Sequence, residues 1–162
     1  MPHNVLIAVD GSPNSRRAVE YAGRVFAPNP EARLVLFQIL PAISRMNLDK
    51  KEIKTIDSRR VERPDLAGLY WRVEDEDKMN KFFAEAKDLL VQAGMEPDQI
   101  KSKFGVKKLE IADAILEEAE LGKYDSLILG RRGLSRVREV FSGSISTKVV
   151  REARGCAVIV VE

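Results

Sequence analysis

Residues 5–13 read VLIAVDGSP, and this junction decides the fold class. Five apolar residues in a row, with no polar alternation, predict a strand buried on both faces, as in a parallel sheet. Ser12 followed by Pro13 supplies an N-cap and a first helical residue, so a helix begins there. Ala18, Val19, Ala22, Val25 and Phe26 follow at helical spacing and stop before Pro28. Residues 34–40 (LVLFQIL) read as a second buried strand closed by Pro41. The opening is β-α-β.

Further along the chain the same alternation continues. Met79, Phe82, Phe83, Ala86, Leu89, Leu90 and Ala93 recur at helical spacing, with Gly94 placed as the residue that stops the helix. Residues 100–106 alternate with lysines and form the weakest strand, which suits a sheet edge. Ile111, Ala112, Ile115, Leu116 and Ala119 mark a third helix ending at Gly122. Leu127, Ile128 and Leu129 form a buried strand running into Gly130. Ile145, Val149, Val150 and Ala153 give a last helix, and residues 156–161 (CAVIVV) a last strand. Five strands alternating with four helices make a three-layer α/β/α domain with a mostly parallel sheet. The 162 residues are read as one domain.

Residues 41–78 break the pattern. Of these 38 residues nine are Lys or Arg and nine are Asp or Glu, a far higher charge density than in the flanking strands. A helix over residues 49–60 is expected, with Ile53 and Ile56 as a thin apolar stripe. Trp71, the one tryptophan, stands beside Tyr70 and is expected to pack this charged insert against the body. A loop of this length is functional or partly disordered, and its balanced charges predict a mobile segment.

Composition excludes several functions. Hydrophobic residues make up 44% and charged residues 32%, which is a globular balance. Lys plus Arg total 27 and Asp plus Glu 25, a net charge of +2 without the basic excess of a nucleic-acid-binding protein. His3 and Cys156 are the single histidine and cysteine, so neither a Cys/His zinc site nor an intrachain disulfide can be assembled. Catalysis of the Ser-His-Asp or Cys-His type would have to route through His3, which is expected to be a surface residue without a role. Cys156, in an apolar strand, reads as an inert core residue. No apolar run approaches the ~20 residues of a membrane span, and the first residues lack the features of a signal peptide. A soluble cytoplasmic protein that binds neither nucleic acid nor membrane is the expectation.

In an open α/β sheet, ligands bind beyond the carboxyl ends of the strands. Two segments place unusual residues there: Asp10-Gly11-Ser12, and Gly130-Arg131-Arg132-Gly133 with Gly143-Ser144-Ile145-Ser146 nine residues on. Gly130 and Gly133 allow close backbone approach and positive φ. A helix start at Gly143 and Ser144 offers unpaired N–H groups to an anion, with the hydroxyls of Ser142, Ser144 and Ser146 as further donors. These parts could cradle a phosphate without a Walker lysine. They could equally be a loop turn with Ser144 as an N-cap. Asp10 is by default a turn or capping carboxylate, and Arg131 and Arg132 are by default solvated cations.

The whole pattern carries a resemblance. VLIAVDGSPNSRRAVEYA (residues 5–22) and YDSLILGRRGLSRVREVFSGSISTKVVREARGCAVIVV (residues 124–161) resemble the universal stress protein family. The G-x2-G-x9-G-[ST] motif of its ATP-binding members is met by Gly130, Gly133, Gly143 and Ser144. The likeness covers the chain apart from residues 41–78. It implies an adenine nucleotide alpha hydrolase-like fold with strand order 3-2-1-4-5. It also implies that Ala8, Val9 and Asp10 border the nucleoside, with Asp10 near the ribose or a phosphate-bound Mg²⁺, and that Ile39 touches the adenine. Leu129, Gly130, Arg132 and Gly133 would then line the ribose and phosphate path, and Gly143, Ser144, Ile145 and Ser146 would hold the phosphates. One departure stands out: Leu109-Glu110-Ile111 replaces the G-x-P turn common in the family, which alters the expected wall of the adenine pocket.

The resemblance implies an ATP-, ADP- or AMP-binding module of stress response or regulation that acts as a dimer. The sequence speaks against efficient catalysis, since no histidine, Walker lysine or carboxylate pair surrounds the expected cradle. A slow ATPase or nucleotidyl-transfer enzyme and a ligand-free dimeric scaffold are the rival readings. Residues 156–161 contain no charge and no proline. In the implied order they form a sheet edge, which predicts pairing with a second copy unless residues 41–78 cover it.

Overall fold

The computed structural model describes residues 2–107, 110–131 and 145–162. Strand β1 (His3–Ala8) is the centre of the sheet, with Val5, Leu6 and Ile7 fully buried. Val5, Ile7 and Val9 face one side, packed with Ala18, Val19, Ala22 and Phe26 of helix α1 (Pro13–Phe26). Leu6 and Ala8 face the other, with the cluster that holds Leu127 and Leu129. An uninterrupted apolar strand buries both faces because each meets a separate core.

Strand β2 (Ala32–Pro41) follows, then helix α2 (Lys50–Arg60), helix α3 (Val73–Gln92) and strand β3 (Ile100–Lys107). Helix α4 (Ile111–Leu121), strand β4 (Ser126–Gly130), helix α5 (Ile145–Glu152) and strand β5 (Ala157–Val161) complete the order. The sheet runs β3-β2-β1-β4-β5, and every pairing is parallel. Helices α1 and α3 cover one face; α4 and α5 cover the other. The lysine-bearing strand β3 is indeed an edge. Gly94, with φ +113, stops α3: the Met95 N–H returns to the Leu90 carbonyl at 3.1 Å.

The charged insert departs from expectation. Helix α3 begins at Val73, six residues before Met79, because Glu74, Asp75 and Glu76 occupy its first turn, where the positive end of the helix dipole favours them. Periodicity alone hid this start, since three acidic residues look like loop. Helix α2 forms where expected, capped by Asp49, whose Oδ1 accepts from the Glu52 N–H at 2.7 Å. Three side chains of the segment, Ile56, Leu66 and Trp71, are buried, the last as expected. Trp71 packs edge-on against Phe104 of β3, ring centroids 5.6 Å apart. The Arg63 guanidinium donates to the Phe104 carbonyl at 2.6 Å and lies over its ring. This cover belongs to the β3 edge, at the opposite end of the sheet from β5, so the alternative in which it shields β5 does not hold.

His3 is also not a loose surface residue. It pairs with Ala32 in the first register position of β1, stacks on Phe26 at 5.2 Å, and its Nε2 lies 3.0 Å from Ser126 Oγ. Cys156 is half-buried just before β5, and burial pushes its thiol pKa up, in keeping with an unreactive group.

One buried carboxylate ties α2 and Trp71 to the first turn of α3. Glu76, itself buried, accepts from Trp71 Nε1 at 2.8 Å and from Arg59 Nη1 at 2.9 Å. Glu76→Ala leaves a buried indole N–H without an acceptor and should cost about 2–3 kcal/mol. Glu76→Gln keeps an acceptor and should cost less. Urea denaturation of the two variants checks the order, and equal costs would refute it.

Candidate functional site

At the carboxyl end of β1 the chain must turn from strand into helix, and serine chemistry makes the turn. Ser12 caps α1 with extended backbone, its Oγ accepting from the Ser15 N–H at 3.2 Å. The Asp10 N–H donates to Ser15 Oγ at 2.8 Å, and that hydroxyl donates to Asp10 Oδ1 at 2.7 Å. The Ser12 N–H donates to the same Oδ1 at 2.9 Å. Gly11 carries φ +81, a conformation that a side chain resists. Asp10 thus serves as the turn carboxylate that its position suggests by default, and the turn presents it, exposed, at the strand end.

Gly130 is needed for a reason other than loop conformation. It is not among the positive-φ glycines. A Cβ at this position would lie 2.4 Å from the Asn14 carbonyl oxygen. The end of β4 and the first turn of α1 are therefore in backbone contact. Arg131 turns away from this point: its N–H donates to the Val161 carbonyl at 2.7 Å and its side chain pairs with Glu162.

Beside this contact opens a cleft of ≈ 140 Å³. Ala8, Val9 and Asp10 line it from β1 and the turn, Ile39 from β2, Leu129 and Gly130 from β4, and Ile145 and Ser146 from α5. All eight were singled out from the sequence. Arg132, Gly133, Gly143 and Ser144 lie outside the described residues. Ser12 and Ile111, named for the turn and the altered wall, line it too, and four lining residues were missed: Asn14, Ser15, Phe37 and Ile115. Phe37 stands two residues before Ile39 on one strand face, and Ile115 one turn after Ile111, so strand and helix periods could have found both. The cleft is a largely aliphatic slot with hydroxyls and a carboxylate at one end.

At the departure from the family's G-x-P turn, the described residues Glu110 and Ile111 have definite roles. Ile111, 42% exposed, lines the cleft. Lys148 of α5 pairs with Glu110 at 2.6 Å and Asp113 at 2.8 Å. Hydrogen bonds to Asp113 and Glu110 raise the Lys148 pKa above its ordinary value. The ion pairs tie α5 to the start of α4, so Ile145 and Ile111 are held on neighbouring walls.

Gly130→Ala tests the backbone contact at the centre of this site. The new methyl must push α1 from β4, at about 1–3 kcal/mol, with amide shifts concentrated at Ser12 and Ser15. Unaltered stability and spectra would contradict the contact.

Comparison with known proteins agrees with this geometry. No curated protein matches the chain in sequence. Among solved structures, a universal stress protein in complex with cAMP is 24% identical, with TM-score 0.66 over 99% of this chain and 96% of its own. The Archaeoglobus fulgidus universal stress protein in complex with dAMP is 18% identical, with TM-score 0.65 over 100% and 98%. An Arabidopsis thaliana family protein with AMP bound is 16% identical, with TM-score 0.63 over 99% and 91%. At such identities the structures establish the fold. The family itself is shown by its own sequence model, which matches residues 1–162 from end to end. With the parallel β3-β2-β1-β4-β5 sheet and the glycine motif in the sequence, that match makes the chain a member of the universal stress protein family.

Proposed function

We propose that the protein is a nucleotide-binding regulatory module that takes ATP, or AMP or ADP, in the cleft at the carboxyl ends of β1, β2 and β4. The observation that carries this reading is the convergence of eight expected residues, from Ala8 to Ser146, on one cleft at the strand ends. Three fold relatives are described with cAMP, dAMP and AMP bound, a shared adenine nucleotide chemistry. Phe37, Ile39, Ile111 and Ile115 offer an apolar slot for a base. Ser12, Ser146 and the start of α5 offer hydroxyls and N–H groups to sugar and phosphate. Gly133, Gly143 and Ser144 complete the motif in sequence.

Magnesium fits the donors present. Mg²⁺ is commonly held by one or two carboxylates together with substrate phosphates, and Asp10 is the carboxylate lining the cleft. Bound there, the ion would neutralise phosphate charge. The role we infer is binding with at most weak hydrolysis, since the sequence sets no histidine or Walker lysine beside the glycine motif. Stress response in the cytoplasm is the setting we infer. Among the described residues no helix is long and apolar enough to cross a membrane.

Calorimetric titration with ATP and Mg²⁺ tests the reading. Gly143→Asp adds a carboxylate and a Cβ to the proposed cradle and should weaken binding by about tenfold or more. Unchanged affinity in a folded variant would sink the assignment. Analysis of the incubated nucleotide separates binding from slow hydrolysis.

A dimer through β5 is the second part of the proposal. β5 pairs with β4 along one side, and Val158, Ile159, Val160 and Val161 are half-buried. No charge or proline blunts it, so antiparallel pairing with a second copy would satisfy backbone and side chains together. Val160→Pro removes a ladder donor and should yield monomers in sedimentation. A wild-type protein that is monomeric at micromolar concentration overturns this part.

A further inference from the structure

Gly105 lies in the interior of β3, where a glycine weakens a strand and so needs a reason. It is not a bulge, because the β2–β3 register runs without a break from Leu34 and Ile100 to Pro41 and Lys107. Nor is it among the glycines with positive φ. What its missing side chain leaves is room. A Cβ there would stand 3.1 Å from Ile39 Cδ1, closer than side chains normally pack, and 3.7 Å from Phe37 Cζ.

Phe37 and Ile39 line both the cleft and a second cavity of ≈ 290 Å³. The two spaces therefore lie end to end. The cleft runs from the start of α5 past β4 and β1 to β2, and the second cavity continues past β3, beside α4 and residues 63–69. Leu66, Leu69, Val106, Ala114 and Leu121 give it an apolar lining. Its charged lining residues are engaged with one another: Arg63 with Asp65, Lys103 with Glu118 and Lys107 with Glu117, each at 2.9 Å. A neutral, apolar group suits such a space better than a charged one.

The group that reaches it follows from the nucleotide reading, on which this inference rests. With phosphate at the start of α5 and the base on Ile39, the edge of an adenine farthest from its sugar is directed towards β3. That edge carries the exocyclic amine. We propose that Gly105 is a specificity-determining residue: it leaves Ile39 room to move aside, and the site takes adenine nucleotides with a neutral apolar substituent on the exocyclic amine. The substituent lies over Gly105, in the second cavity.

Calorimetric titration of the full chain with AMP and with N⁶-benzyl-AMP tests it. The wild type should bind the benzyl nucleotide at least as tightly as AMP. Gly105→Val fills the gap with a side chain that suits a strand, and should weaken the benzyl nucleotide at least about tenfold more than AMP. Gly105→Ala adds a single methyl to ordinary strand backbone; it should shift the same ratio by about threefold or more, and it serves alone if the valine variant does not fold. Wild-type protein that binds AMP more tightly than N⁶-benzyl-AMP overturns the proposal and leaves the nucleotide reading standing. An unchanged ratio of the two affinities in the folded variants overturns it too, and makes Gly105 a packing residue only. Binding of neither nucleotide removes the nucleotide reading and this inference with it.

Discussion

A side chain at position 130 would put its Cβ 2.4 Å from the Asn14 carbonyl oxygen, and much of the molecule depends on that close approach. It brings the end of β4 against the first turn of α1, although 116 residue positions separate them in the sequence. With that contact made, the Asp10, Ser12 and Ser15 hydrogen bonds close the β1–α1 turn beside the end of β4. The cleft is the space left between this turn, the strand ends and the start of α5. A glycine that reads as a ligand-contacting residue is therefore also a packing requirement, and the two demands fall on one position. For Gly130 the packing requirement stands whatever the cleft binds.

The two sheet edges are treated differently by the same chain. At β3 the backbone is protected: the Arg63 guanidinium occupies the Phe104 carbonyl while Trp71 packs the ring beneath. Glu76 holds both the indole and Arg59, so one buried carboxylate joins α2, Trp71 and the start of α3. A lysine-bearing edge covered in this way offers a neighbouring chain little to pair with. At β5, which pairs with β4 along one side, no such cover is seen among the described residues.

The cleft wall shows how a departure from a family pattern is absorbed. Where many relatives carry a G-x-P turn, Ile111 lines the cleft and Glu110 joins Asp113 in holding Lys148. Exposed ion pairs of this kind contribute little to stability. Their value here is geometric, since they connect α4 to the helix whose first residues, Ile145 and Ser146, enter the cleft. That wall of the cleft is thereby aliphatic, with the charges outside it.

The elements legible in the sequence are those governed by neighbours in the chain. VLIAV reads as a doubly buried strand because each residue type reports its own burial, and Ser12-Pro13 reads as a helix start because capping is decided within three residues. The cleft residues of β1 and β4 follow from where those strands end. The start of α3 was not legible, because its acidic first turn is explained by a helix dipole that exists only once the helix has formed. Nor was the place of His3, which depends on Phe26 and Ser126, or of Trp71, which depends on Phe104 and Glu76. Gln38 looked like one polar residue in an apolar strand; only the docking of α3 over it buried its oxygen without a partner. Local patterns determine which segments become strands and helices, because backbone conformation and capping are short-range. Which side chains meet, and which are left unsatisfied, is decided when those segments pack, because volume and hydrogen-bond geometry act between residues distant in the chain.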